Sequence, residues 1–174
     1  MRIITITVLV AVFGIASTTS AKAQFGVQAG VLAPTGDWGD IWGAGFGGQV
    51  FYKKSQGDNI TYGGSIGYFS LPGETINFGL VPFVFPDANV IPILGTFDYQ
   101  INDLFYVGGD AGYNVISIGD LDQGITTTAE SSLALIPKAG VKYSIFHAEA
   151  RLNIVGDSYF SLVVGLSLGG KSSE

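Results

Sequence analysis

The stretch HAEARLNIV, residues 147–155, alternates between side chains that could take part in chemistry and side chains that could not. Successive side chains of an extended strand point to opposite faces, so His147, Glu149, Arg151 and Asn153 share one face. The residues between them are aliphatic. A histidine beside a glutamate could belong to a Ser–His–Glu hydrolase, whereas an arginine in the same row points to ion pairing. Whether this face meets water, lipid or a protein interior decides between these two interpretations.

The composition gives little support to metal or cofactor chemistry. His147 is the single histidine among 174 residues and the chain has no cysteine, whereas a zinc site needs three or four convergent ligands. The acidic loop tips at 37–40 and 119–122 could hold Ca²⁺ loosely, but solvated turn residues explain them better. The glycine runs lie inside predicted strands and do not open a helix, as a phosphate loop requires. We therefore predict no metal and no cofactor.

The N-terminal segment MRIITITVLVAVFGIASTTSAKAQ has the order of a secretory signal: a basic start, a short apolar core and a small-residue end. We assign residues 1–23 to a cleaved signal peptide and residues 24–174 to one domain. Removing Arg2 and Lys22 with this segment leaves six basic and fourteen acidic residues, a formal charge of −8. Such an acidic chain would repel a polyanion, so we expect no nucleic-acid partner.

Hydrophobicity alternates with a period of two residues through most of the remaining chain, which predicts strands. The predicted strands lie near Phe25–Ala33, Trp42–Lys53, Ile60–Ser70, Asn89–Tyr99, Leu104–Asn114, Ser131–Tyr143, Phe146–Val155 and Tyr159–Leu168. Short polar links at one end and mostly longer loops at the other are typical of an outer-membrane barrel. The fold class predicted is all-β, an eight-stranded antiparallel up-and-down transmembrane β-barrel.

A barrel with one apolar face can turn that face inward, as a soluble lipocalin-like barrel does, or outward into lipid. A solvated outer face should be rich in charged residues, but the polar face of these strands is mostly small, with Gly43, Gly45, Gly47 and Gln49 on the second strand. Rows of glycine suit the narrow interior of an eight-stranded barrel, which is just wide enough for side chains. The apolar face is therefore expected to face lipid.

With this orientation, the four polar residues of the opening stretch point into the barrel. Asp98, Asp110 and Lys138 lie on the same face of their own strands. Because an unpaired charge in a dry interior costs several kcal/mol, we predict a paired network that fills the lumen. In this network Glu149 and Asp110 pair with Arg151 and Lys138. The complete predicted interior set is Asp98, Asp110, Lys138, His147, Glu149, Arg151 and Asn153.

Two segments, residues 89–115 and 132–169, carry a family resemblance. Their motifs are Ile91-Pro92-Ile93-Leu94, the aromatic–glycine run Tyr106 to Tyr113, Pro137 to Tyr143, and Ala150-Arg151. The chain resembles the outer membrane protein beta-barrel domain family of Gram-negative bacteria, also called porin-family and related to the OmpA and OmpX barrels. The resemblance implies residence in the cell outer membrane, contact with its lipid and lipopolysaccharide, and insertion by the barrel-assembly machinery. It implies a structural, adhesive or barrier role and carries no chemistry.

The function predicted is a small closed outer-membrane barrel with a structural or surface-interaction role, without enzymatic activity or a known small-molecule ligand. A narrow channel for ions or small solutes is the first alternative. A lipid-modifying enzyme is less favoured because His147 and Glu149 point inward, away from membrane lipid. A soluble periplasmic ligand-binding barrel is the last alternative. The loop at 71–88 is unusually apolar; it either folds over the barrel mouth, contacts a partner or extends the neighbouring strands.

Overall fold

A computed structural model of the protein describes residues 23–78, 81–118 and 128–169. The segment 1–22, which holds nearly all of the predicted signal peptide, lies outside the described residues. The acidic loop tip at 119–122 lies outside them too. Within the described ranges, no helix is long and apolar enough to cross a membrane.

Ten strands are described. Their bounds are β1 Ala23–Pro34, β2 Gly45–Gln56, β3 Ile60–Leu71, β4 Thr75–Phe78, β5 Val81–Val84, β6 Ala88–Gln100, β7 Phe105–Ile118, β8 Thr128–Tyr143, β9 Phe146–Asn153 and β10 Tyr159–Leu168. Eight of them close into a barrel in the order β1-β10-β9-β8-β7-β6-β3-β2. Each barrel strand pairs antiparallel with the barrel strands before and after it in the chain, and β10 returns to β1. The predicted eight-stranded antiparallel up-and-down barrel is confirmed.

At the long-loop end, β7 and β8 extend furthest beyond the predicted strands. The pairing of β7 with β8 continues without a break to Ile118 and Thr128, whereas the predicted strands stop at Asn114 and begin at Ser131. The hydrogen-bonded ladder continues there because each strand supplies the partner groups of the other. On β8 the added residues Thr128 and Glu130 are polar and give no apolar alternation, whereas on β7 the added residues Val115 to Ile118 are mostly apolar.

The segment between β3 and β6 forms a hairpin of its own. β4 and β5 pair only with each other, in a two-stranded sheet separate from the barrel. The base of this hairpin is held against the β1–β2 loop: Glu74 N–H donates to Ile41 O at 2.9 Å and Gly43 N–H donates to Pro72 O at 3.0 Å. Trp42 Nε1 donates to Pro86 O at 3.0 Å. The side chains at 76–84 lie outside the described residues, so the predicted role of the apolar loop stays a prediction.

Side chains of the barrel wall alternate between more exposed and more buried positions along most of each strand. Each of the eight barrel strands presents large hydrophobic side chains on the outside. One example from each strand, in chain order, is Val31, Val50, Ile66, Phe97, Val107, Leu135, Leu152 and Leu162. The intervening residues point into the lumen, as the period of two requires.

The lumen is not polar along its whole length, and here the structure departs from the expectation. Its half nearest the long loops is filled by buried apolar side chains, among them Leu32, Phe69, Leu71, Val90 and Ile136. Trp42 of the β1–β2 loop belongs to the same cluster. An eight-stranded barrel holds little more than its own side chains, so these residues form a hydrophobic core within the lumen. We call it the apolar plug.

Candidate functional site

A layer of six charged side chains crosses the lumen between the apolar plug and the short turns. Five of the eight barrel strands supply them, because charged residues fall at inward positions of β2, β6, β7, β8 and β9. The layer balances three acids against three bases: Asp98, Asp110 and Glu149 against Lys53, Lys138 and Arg151. All six are buried. Charge balance and multiple contacts offset the cost of taking these groups out of water.

Lys138 on β8 lies at the centre of one half of this layer. Its Nζ is 2.7 Å from Asp110 Oδ1 and 2.9 Å from Asp98 Oδ1. It also donates to Thr96 Oγ1 at 2.6 Å. An ammonium has three donors and no acceptor; two of these hydrogen bonds go to Thr96 and Asp110, and Asp98 adds an ion-pair contact.

Glu149 on β9 organises the other half. Arg151 Nε donates to its Oε2 at 2.6 Å, and Arg151 Nη2 contacts the same oxygen. The Tyr106 hydroxyl donates to Glu149 Oε1 at 2.8 Å, and Lys53 Nζ lies 3.4 Å from that oxygen. Arg151 also donates to Gln49 Oε1 at 2.8 Å. The carboxylate is thus surrounded by donors from three other residues, which suits an acceptor-only group.

Sequence reasoning missed Lys53 as a member of this layer. The predicted interior set does not include Lys53, but the side chain points inward and its Nζ lies 2.7 Å from Asp98 Oδ2. The alternation of β2 does indicate this orientation, because Lys53 lies an even number of residues after the inward-facing Gln49 and so points to the same face. The predicted set also lacks Thr96 and Tyr106, because an uncharged hydroxyl does not indicate a contact with a charged group from the sequence.

His147 and Asn153 lie inside the barrel but outside the ion pairs. His147 Nε2 is 3.0 Å from the Gln28 side-chain amide, its Nδ1 is 3.4 Å from Ser167 Oγ, and its ring meets Phe51 edge-on. Asn153 instead fixes the β9–β10 turn, since its Nδ2 donates to Val155 O at 3.0 Å and to Asp157 O at 2.6 Å. The remaining predicted residues, Asp98, Asp110, Lys138, Glu149 and Arg151, are brought together in the layer described above.

The lumenal glycines make room for the large polar and aromatic side chains of neighbouring strands. A Cβ added at Gly165 would collide with the His147 ring, and one added at Gly67 would collide with Gln49. In a lumen this narrow, a large side chain on one strand fits only where the neighbouring strand has a glycine, which carries no side chain. The glycine rows in the sequence therefore leave the space that large inward side chains of neighbouring strands occupy.

The arrangement offers few of the parts that catalysis or metal binding needs. Ser167 lies next to His147, but no carboxylate contacts the imidazole among the described hydrogen bonds and ion pairs, as a catalytic triad would require. No group of three or more His, Cys, Asp or Glu residues in the described ranges could hold a metal ion. What the layer can do is hold opposite charges together and block the lumen.

Neither a protein-family model nor a curated protein sequence matches the chain. Among solved structures, the outer membrane protein Ail of Yersinia pestis, determined in a phospholipid bilayer nanodisc, aligns with a TM-score of 0.52 at 13% identity, covering 84% of this chain and 100% of Ail. The chain has the fold of a small outer-membrane β-barrel. The fold expected from the family resemblance is thereby confirmed.

Two further structures cover similar shares of the chain at lower scores. The N-terminal β-barrel domain of Pseudomonas aeruginosa OprF aligns with a TM-score of 0.48 at 13% identity, covering 86% of this chain and 100% of that domain. Ail of Yersinia pestis in complex with the heparin analogue sucrose octasulfate aligns with a TM-score of 0.48 at 13% identity, covering 84% and 97%. At such identities the similarity concerns the fold alone.

Proposed function

We propose that this protein is a closed barrel of the cell outer membrane, exported by its N-terminal signal, with a structural or surface-interaction role and no enzymatic activity. The outward face supports the membrane assignment, because every barrel strand exposes large hydrophobic side chains. Tyr52, Tyr99 and Tyr143 are exposed near the short-turn end, where an aromatic girdle would meet the lipid–water boundary. A soluble barrel with this surface would expose an apolar area far above that of ordinary monomers.

The observation that carries the closed state is the presence of two obstructions in series. The charged layer crosses the lumen with each of its six members in an ion pair, and the apolar plug fills the lumen beyond it. An ion entering from the short-turn side would have to separate buried ion pairs and then cross a region filled mainly by apolar side chains, and both steps are costly. The narrow-channel alternative requires both obstructions to open.

Planar-bilayer recording tests the closed state. The protein purified from membranes should insert without producing steady single-channel steps, with insertion verified by heat-modifiable gel mobility of protein recovered from the bilayer lipid. The double variant Leu32→Ala/Phe69→Ala removes part of the apolar plug. It should also show no conductance, because the charged layer still closes the lumen. Steady unitary steps from the unmodified protein would overturn the proposal in favour of a channel.

A soluble barrel and a lipid-modifying enzyme each predict a different result. A soluble periplasmic barrel would be recovered in the soluble fraction without detergent, whereas we expect extraction from the outer-membrane fraction and a heat-modifiable band. A lipid-modifying enzyme would alter lipid A, and mass spectrometry after overexpression should find it unchanged. The inward position of His147 and Ser167 argues against access by membrane lipid.

The surface-interaction role is assigned to the long-loop end, which we place outside the cell. Its described loops expose Asp37, Asp40, Glu74 and Asp87, and no loop at this end contains a lysine or arginine. Such a surface would contact lipopolysaccharide through bridging divalent cations and would repel a free polyanion. Binding of a heparin analogue, described for Ail, is therefore not extended to this chain. Insertion by the barrel-assembly machinery follows from the proposed location.

A further inference from the structure

The lumen opens, on the short-turn side of the charged layer, into a polar cavity of about 40 Å³. All eight barrel strands contribute at least one residue to its wall. Lys53, Lys142 and His147 line it together with the hydroxyls of Thr61 and Ser167. We call this space the vestibule. It is polar and enclosed by the barrel wall, unlike the grooves between side chains on the outer face.

The charges that line the vestibule do not balance. Asp98 is its acid, and this carboxylate already bridges Lys53 at 2.7 Å and Lys138 at 2.9 Å. Lys142 lies on the inward face of β8, is half-buried, and donates from Nζ to Gln24 Oε1 at 3.2 Å. None of the salt bridges found among the described residues includes Lys142. The acids of the neighbouring short turns, Asp58 and Asp103, are exposed and do not reach it.

A half-buried ammonium that shares a cavity with a second ammonium would be stabilised by a bound anion. The cost of removing a cation from water falls when a counter-ion or charged acceptor is nearby, and a neutral amide oxygen such as that of Gln24 supplies only part of this. Ser167 Oγ and the Gln24 amide nitrogen provide further donors in the same wall. We propose that the vestibule binds one small inorganic anion between Lys142 and the β9–β10 side of the wall.

The size of the cavity limits the ligand. Its volume of about 40 Å³ is a few times the roughly 10–15 Å³ that one water molecule needs in a cavity. A monatomic anion such as chloride fits, whereas a sugar phosphate or a nucleotide does not. The apolar plug and the charged layer close the inner side, so the anion enters and leaves by the short-turn end. The site is therefore a terminal binding site and does not lie on a path through the barrel.

Crystallography with bromide in place of chloride tests the site directly. The protein should show an anomalous difference peak in the vestibule next to Lys142 Nζ. The peak should disappear in Lys142→Met and persist in Lys54→Met, which removes the same charge from the exposed outer face of the same barrel end. Bromide found only on exposed short-turn residues would mean an adventitious ion only. That result, or a vestibule peak that persists in Lys142→Met, would overturn the proposal.

A solution measurement covers the case in which a variant does not crystallise. Urea unfolding in detergent, followed by heat-modifiable gel mobility, is compared in chloride and in gluconate, an anion too large for the vestibule, at equal sodium concentration. At chloride tenfold above its Kd, the folded-to-unfolded equilibrium constant should rise about 11-fold. The rise should be saturable, present in Lys54→Met and absent in Lys142→Met. An equal response of all three proteins contradicts the site. Both readouts report equilibrium binding, so they are independent of the conductance test.

Discussion

Tyr106 on β7 donates its hydroxyl to Glu149 on β9 at 2.8 Å, although the strand β8 lies between them. The residue of β8 in register with both is Gly140, which pairs with Tyr106 on one side and with Glu149 on the other. A Cβ at Gly140 would collide with the Tyr106 ring. The missing side chain therefore lets a tyrosine lie across one strand and reach the carboxylate on the next.

Gly140→Ala should destabilise the barrel by about 1–3 kcal/mol, the usual cost of overpacking a close-packed interior. The added methyl group would push the Tyr106 ring away from Glu149. The measurement is the urea midpoint of the detergent-solubilised barrel. Gly109→Ala is the matched control, because a Cβ there finds its nearest neighbour, Ile136 O, at 3.7 Å. Equal midpoints for the two variants would contradict the proposed spacing role of Gly140.

Tyr106→Phe should cost about 1.5–3 kcal/mol, the range for a hydrogen bond to a charged group. The ring remains, so the loss isolates the hydroxyl that donates to Glu149. Tyr113→Phe provides the comparison on the same strand, since that side chain is outward-facing and exposed. The two variants are compared by their free energies of unfolding in urea. A loss as large for Tyr113→Phe as for Tyr106→Phe would argue against a specific contribution from the bond.

Glu149→Gln should be the most damaging single change in the charged layer, at about 3–5 kcal/mol. It leaves three buried bases facing two acids, with Arg151 deprived of its closest partner. Adding Arg151→Gln restores the balance of charge, so the double variant should lose less stability than the two single variants combined. Glu130→Gln, at an exposed position of β8, controls for the amide substitution. Strict additivity of the two single losses would show that the residues are not coupled.

Spin labels on adjacent residues of β10 report the orientation of the wall. The chain has no cysteine, so Leu162→Cys and Ser161→Cys can each be labelled alone. Leu162 is 49% exposed and Ser161 is 4% exposed. In lipid vesicles the label at 162 should be accessible to oxygen and shielded from a water-soluble relaxant, and Ser161→Cys should react only after unfolding. A label at 162 that is open to the water-soluble relaxant would place this face in water.

The inward or outward position of a residue could be predicted along most of the barrel. Alternation alone places Glu149 and Arg151 inside and Leu152 outside, because adjacent strand residues cannot face the same way. Alternation also places Asn153 inside, but it does not indicate how far along the barrel axis the side chain lies. The structure puts that side chain at the β9–β10 turn, where it holds backbone carbonyls and does not join the charges.

Partners across the lumen could not be predicted in the same way. The contact of Lys53 with Asp98 and Glu149 joins residues 45 and 96 positions apart in the chain. Such contacts depend on the stagger of neighbouring strands in the closed barrel, and no local sequence pattern indicates this stagger. The apolar plug was missed for a related reason. Leu32 and Phe69 lie on the inward face of their strands near the long loops, and only the closed sheet brings them together.

The sequence by itself determined the number of barrel strands, the antiparallel up-and-down order and the face on which each side chain lies, because these follow from the two-residue period and the lengths of the links. Only the tertiary structure decided how the interior is divided along its axis into plug, charged layer and vestibule. Closure fixes the register of every strand against its neighbours, and register sets the height at which each inward side chain meets the others.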